Sequence, residues 1–237
     1  MKLKNNLIFL FLISILNNYF SNAQTYEVGF YAGKSNFIGD VGGISPKNII
    51  GITPVYKDYV FGLSAKWNRS PRHSYRFTYI SGHLGDNDLH SEDPRRQERG
   101  YNFNINFSEI SLGMEFTFLD FNLHERGVKF TPFIYGGLTY SVFDKLSLTN
   151  SLITQISGNT ESFGIPFGIG LKYRIFDQII ISAELGARYM FTDNIDGSFS
   201  NDENISSFGN VNNNDWYLLS LINLSYTFGK KPCYCKY

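Results

Sequence analysis

Past residue 24 the chain alternates with period two over long stretches, and no apolar run is long enough to cross a bilayer as a helix. In the stretch 178–191 the odd positions are Ile179, Ile181, Ala183, Leu185, Ala187, Tyr189 and Phe191. The even positions include Ser182, Glu184, Gly186 and Arg188. One face suits lipid and the other is mixed, with Gly and charge. Tyr59, Phe61, Leu63, Ala65 and Trp67 against Val60, Gly62, Ser64, Lys66 and Asn68 repeat the pattern, as do Ile110, Leu112, Met114 and Phe116 against Glu109, Ser111, Gly113 and Glu115. Such stretches are strands with one apolar face. Eight are expected, near 25–38, 58–69, 73–85, 104–120, 129–142, 161–176, 177–191 and 214–229.

The connections are unequal in a regular way. Those after the second, fourth and sixth strands are short or moderate, and those after the first, third, fifth and seventh are long: 39–57, 86–103, 143–160 and 192–215. An even strand number with short turns at one end and long loops at the other is the plan of an outer-membrane barrel, short turns and both termini facing the periplasm. Tyr26, Trp67, Tyr75, Tyr140, Tyr189, Trp216 and Tyr226 fall near strand ends on the apolar face, where interfacial girdles belong. A soluble antiparallel barrel, apolar inside and polar outside, is the competing reading.

Composition fits. Aromatics make up 17% and charged residues 18%, which argues against disorder. Lys+Arg and Asp+Glu are both 21, giving no basic excess for nucleic acid. Lys2 and Lys4, the apolar run 7–16 and the small-residue close Ser21-Asn22-Ala23 read as a signal peptide over 1–23, cut before Gln24. The expected organisation is therefore all-β: an eight-stranded antiparallel transmembrane outer-membrane β-barrel over 24–229, in contact with outer-membrane lipid, and a periplasmic tail over 230–237.

The inward face should carry Glu27, Lys66, Arg76, Glu109, Glu115, Lys172, Arg174, Glu184 and Arg188. Eight strands leave an interior that side chains fill, and a buried unpaired charge is costly. The nine are read as an ion-paired plug rather than an ion path. Chemistry-bearing motifs are sparse. Ser81, His83 and Asp86 are a conceivable hydrolase set at the rim, if they converge. Asp193-Asn194-Ile195-Asp196-Gly197 offers oxygen ligands for Ca²⁺ but matches no complete loop signature, and is read as a turn. The mixed-sign stretch 92–99 reads as a solvated loop. No cofactor or metal is implied.

The tail holds both cysteines, Cys233 and Cys235, in an oxidising compartment. Residues two apart in an extended chain have Cα atoms about 6.6–7.2 Å apart, at or past the upper edge of easy disulfide geometry. A bond to a partner, or a metal shared with one, stands beside two free or mutually bonded thiols. Lys230 and Lys231 would attract an acidic partner surface, and Tyr234 would dock on it.

Four stretches carry a family resemblance: Lys66-Trp67-Asn68-Arg69-Ser70-Pro71-Arg72-His73-Ser74-Tyr75-Arg76, Phe130-Thr131-Pro132-Phe133-Ile134-Tyr135-Gly136-Gly137, Gly186-Ala187-Arg188-Tyr189 with 192–197, and the close from Tyr226 to Cys235. Together they resemble the PorG-like outer-membrane barrels of the type IX secretion system of Bacteroidota. The resemblance implies a non-enzymatic subunit of a secretion machine that also serves gliding motility. It implies contact with a periplasmic ring-forming lipoprotein, the partner to which Cys233 or Cys235 would bond. A rim-active lipid hydrolase and a narrow channel are the alternatives.

Overall fold

The computed structural model describes residues 25–43, 58–123, 129–149, 152–198, 208 and 213–229. Eight strands occur among them: β1 (Thr25–Ile38), β2 (Tyr59–Asn68), β3 (His73–Asn87), β4 (Asn102–Thr117), β5 (Lys129–Thr149), β6 (Leu152–Phe176), β7 (Ile179–Met190) and β8 (Trp216–Phe228). Each pairs antiparallel with the next, and β8 closes on β1, with Tyr26 opposite Phe228 and Ile38 opposite Trp216. Closure leaves no strand edge within the ring.

The alternation decides which face goes where, and it settles the competition with a soluble barrel. Lys66, Arg76, Glu115 and Glu184 are buried inside, whereas Leu63, Leu112, Leu138 and Phe163 stand more than 60% exposed outside. Charge within and large apolar side chains without is the inverse of a soluble barrel, and it is stable only when the surroundings are lipid. Aromatic pairs mark both margins of the apolar belt. Tyr26–Phe228 (5.9 Å) and Trp67–Tyr75 (5.4 Å) lie toward the short turns, and Tyr140–Phe163 (5.1 Å) and Tyr189–Trp216 (4.8 Å) toward the long loops. Between Ile179 and Tyr189 on β7 the rise of ~3.3 Å per residue, tilted ~40°, spans about 25 Å, the height of an outer-membrane apolar band.

Beyond the loop-end margin the pattern keeps its period and reverses its sign. In β4 the odd residues point inward throughout. Glu109, Ser111 and Glu115 are polar, but Phe103, Ile105 and Phe107 are apolar and buried. The outward side changes in step, from Ile110, Leu112 and Met114 to Ser108, Asn106, Asn104 and Asn102. The same inversion occurs on β3, where Arg76 and Thr78 give way inward to Ile80 and Leu84, and Ile80 pairs with Glu109 at that level. The strands leave the bilayer there and continue as a water-exposed barrel with an ordinary apolar core.

Two expected boundaries change accordingly. The stretch 143–160, expected as a loop, is largely ladder: Phe143 pairs with Thr160, Asp144 with Asn159, and pairing continues to Thr149–Leu152 across an irregularity at Asp144/Leu146. The β5–β6 hairpin thus stands beyond the rest of the barrel. The stretch 86–103 holds a 3-10 turn at Asp88–His90 and a helix α1 (Pro94–Arg99). Asp93 caps α1 by accepting from the Arg95 N–H, Pro94 takes the first turn, and Gly100 closes it at φ 68°. At the opposite end Arg69 and Ser70 N–H groups both bond the His73 carbonyl, which makes the β2–β3 turn tight.

Candidate functional site

The lumen begins, from the short-turn end, with the ion pairs. Lys66 Nζ lies 3.2 Å from Glu27 and 3.1 Å from Glu115. Lys172 also pairs with Glu115. Arg76 crosses from β3 to β7 and holds Glu184 with two hydrogen bonds, of 2.5 and 3.0 Å. Its guanidinium stacks 3.4 Å over the Tyr135 ring and donates to the Tyr31 hydroxyl. One level nearer the loops, Arg188 holds Glu109 at 3.2 Å, and Tyr217 donates to the same carboxylate at 2.5 Å. These four acids and four bases are interlocked. Arg174 lies toward the short turns and donates to the Asn122 carbonyl. Long side chains fit because glycines stand behind them: a methyl at Gly168 would press on the Glu184 carboxylate, and one at Gly186 would collide with the Arg188 guanidinium.

Above the ion pairs the lumen is apolar. Phe107 packs against Phe143 (6.1 Å) and Tyr217 (5.5 Å), with Ile80, Leu84, Leu219 and Met190 buried beside them. Phe37 meets Phe103 edge-on at 5.0 Å, and Val41 and Ile195 fold in over the top. The connecting segments lock this cap with charge-assisted bonds. Asp196 accepts from the Asp40 and Val41 N–H groups, and Asp88 from the Gly42 N–H and from Arg99. Arg96 donates to the Gly39 and Gly42 carbonyls. At the rim a cavity of about 550 Å³ is lined by Asp40, Arg96, Tyr189, Asp193, Asp215 and Trp216, among others. Burial, then the neighbouring Asp196 charge, pushes Asp215 up to about 9. Burial, then Asp40 and Asp196, pushes Asp193 up to about 6. The lumen charges thus engage one another, and apolar side chains pack above them.

The structure brings Glu27, Lys66, Arg76, Glu109, Glu115, Lys172, Arg174, Glu184 and Arg188 together inside. It does not assemble the rim hydrolase set. Ser81 and His83 share a parity and face outward, while Asp86 takes the inward one. Ser81 instead donates to the Phe107 carbonyl. The stretch 193–197 is a bent segment in which Asp196 is buried against backbone N–H groups and Gly197 takes φ 76°. The stretch 92–99 is more than a solvated loop, because Arg96 and Arg99 clamp the cap. Lys230, Lys231, Cys233, Tyr234 and Cys235 lie outside the described residues, as does the expected signal peptide. The apolar cap escaped the sequence reading. Its signal was the reversal of sign within 102–118.

Solved structures of similar shape include Ail, the attachment invasion locus protein of Yersinia pestis, in complex with sucrose octasulfate (10% identity, 87% of this chain and 100% of that one, TM-score 0.48). A major outer membrane protein from Thermus thermophilus matches at 14% identity over 87% and 100%, TM-score 0.47. The N-terminal β-barrel domain of OprF from Pseudomonas aeruginosa matches at 11% identity over 86% and 97%, TM-score 0.46. No curated protein matches the chain. Residues 5–237 match the model of a family described as a domain of unknown function, DUF6089, and the chain belongs to that family.

Proposed function

We propose that the protein is a non-enzymatic outer-membrane subunit that positions a protein-secretion assembly through its outer surfaces. The observation that carries this is the filled lumen. Ion pairs occupy its short-turn half and apolar side chains its loop half, so neither half offers a solute a path. The separation of Ser81 and His83 from Asp86 weighs against the lipid hydrolase. What remains for function is the short-turn end, the tail and the cap. The resemblance to PorG-like barrels supplies the finer reading: a type IX, gliding-associated machine, short turns and tail in the periplasm, and a ring-forming lipoprotein held by residues 230–237, with Cys233 or Cys235 as the covalent link.

The test is a thiol-blocked, non-reducing gel of outer membranes, followed by crosslinking and pull-down of the full chain. A high-mass band that collapses on reduction and vanishes in the Cys233→Ser, Cys235→Ser double variant is expected, with the ring lipoprotein in the pull-down. A monomer alone, with no ring protein crosslinked and secretion intact in a strain lacking the gene, overturns the reading.

A further inference from the structure

Among the described residues, Arg69 at the short-turn margin of the lipid belt is a cation with no carboxylate partner. It follows Ala65 and Trp67 on the outward parity of β2, and its guanidinium lies 5.9 Å over the outward Trp67 ring. Asp120, on the adjoining β4–β5 connection, is taken by Arg72 at 2.5 Å. The lumen bases of this barrel are held by carboxylates, whereas this one faces the lipid margin without one.

His73 stands beside it on the outward parity of β3. The Ser70 hydroxyl oxygen accepts from the Arg72 and His73 N–H groups, and it lies 3.3 Å from His73 Nδ1. With its lone pairs so occupied, the hydroxyl donates to Nδ1 and leaves the proton of the neutral ring on Nε2, directed away from the turn. Below the two side chains lies an aromatic platform on three adjacent strands. Trp67 meets Tyr75 at 5.4 Å, His73 meets Phe116 at 5.2 Å, and Phe116 meets Phe118 at 5.6 Å. The turn is held rigidly from behind: the Phe121 N–H and the Thr117 hydroxyl both donate to the Pro71 carbonyl, and the Thr117 N–H to that of Arg72. The turn and the strands on both sides of it lie wholly within the described residues, and Arg69, His73, Tyr75 and Phe118 are exposed.

We propose that this corner is a binding site for one anionic phospholipid, its phosphate on Arg69 and His73 and its upper acyl chains on the Trp67, Tyr75, Phe116 and Phe118 platform. The occupant follows from position and charge. The platform continues the lipid-facing belt, so acyl chains already cover it, and the phosphates of those lipids lie just beyond an aromatic margin. A guanidinium with no partner matches phosphate oxygens, and the His73 Nε2–H adds a donor. A zwitterionic head group would also bring an ammonium, and with Asp120 held by Arg72 the corner has no unengaged carboxylate among the described residues to receive it. The fixed turn keeps the donors in place before the lipid arrives, which lowers the ordering cost. The site rests on the membrane-barrel fold and not on the secretion reading.

The chain's two tryptophans make the test internal, one at each margin. Trp216 stands where Asp40, Asp193 and Asp215 outnumber Arg96. The full chain, as Trp216→Phe or as Trp67→Phe, is placed in nanodiscs that mix phosphatidylglycerol and phosphatidylcholine. One lipid at a time carries bromines near the carbonyl end of its chains, and quenching of the remaining tryptophan reports which lipid lies against it. Trp67 should prefer phosphatidylglycerol at least about threefold, and Trp216 should show no preference. Arg69→Gln with His73→Gln, two exposed turn positions, should remove the Trp67 preference. No preference at Trp67 overturns the proposal, as does one that survives the double substitution. Equal preference at both tryptophans also overturns it, because diffuse attraction rather than a site would then be acting. Loss of the preference on adding inorganic phosphate at constant ionic strength would make a soluble anion the occupant and overturn it too.

Discussion

The same eight strands build two regions with opposite logic. Below the inversion at Ile80 and Glu109, Leu112 and Leu138 face out while Glu115 and Arg76 face in. Above it, Asn104 and Asn106 face out while Phe103, Ile105 and Phe107 face in. On β3 and β4 backbone, pleat and pairing continue unchanged across that level. The difference shows that period two specifies only that a strand has two faces. The solvent on the outer side decides which one is apolar. The inside then follows: where lipid takes the apolar face, the lumen must satisfy polar groups by pairing them, and where water takes the polar face, the lumen packs as a core.

The largest expected effect breaks the lower region from within. Glu115 holds Lys66, Lys172 and Arg76. Glu115→Ala leaves three cations short of one carboxylate in a buried space, a loss of about 3–5 kcal/mol in unfolding by denaturant from lipid vesicles. Restoring neutrality with Lys172→Met in the same chain should recover part of it. If the single variant costs under about 0.5 kcal/mol, water rather than pairing satisfies the lumen. The companion measurement is planar-bilayer recording of the wild type, where no steady conductance is expected, and a large stable one would mean that the lumen is open.

The second effect contrasts the two outer faces directly. Leu112→Arg places a charge in the lipid belt and should cost about 2–4 kcal/mol near the bilayer midplane. Asn104→Arg, eight residues along the same strand and the same face, should stay within about 0.5 kcal/mol. Equal costs would move the lipid boundary or remove it.

How much of this was legible follows from the same physics. Strand number, facing and the nine lumen charges could be read because each belt strand meets two different environments, and alternation records that contrast. The hairpin extension could not. With both faces of 154–159 in water, Thr154, Gln155, Ser157 and Asn159 look like a loop. The partners inside the lumen were equally hidden. Arg76 and Glu184 are 108 residues apart, and only closure of the ring brings β3 opposite β7. Ser81, His83 and Asp86 were close in number but differ in parity, and in a strand parity outweighs proximity.

The smallest effect sharpens the comparison at the rim, where the cap meets water. Asp215 stands near 9 and Asp193 near 6, both raised first by burial and then by neighbouring carboxylates. An unfolded or opened aspartate titrates near ~3.9. The closed cap therefore binds more protons than the opened one between those values, and closure must weaken as pH rises from about 4 toward 9. Below about 4 both states are protonated and the dependence ends. The amides that report it are Val41, which donates to Asp196, and Ile195, which donates to Asp215 at 2.9 Å. After correction for intrinsic exchange, their protection should fall on the order of tenfold between pH 6 and pH 7, or ~1.4 kcal/mol. Belt amides such as Leu185 should hold steady, because the lipid-embedded ladder does not open with the cap. Asp215→Asn keeps an acceptor for Ile195 without the charge and should flatten the response. Parallel losses at Val41 and Leu185 would mean that the two regions open as one unit, and that the inversion between them is no boundary in stability.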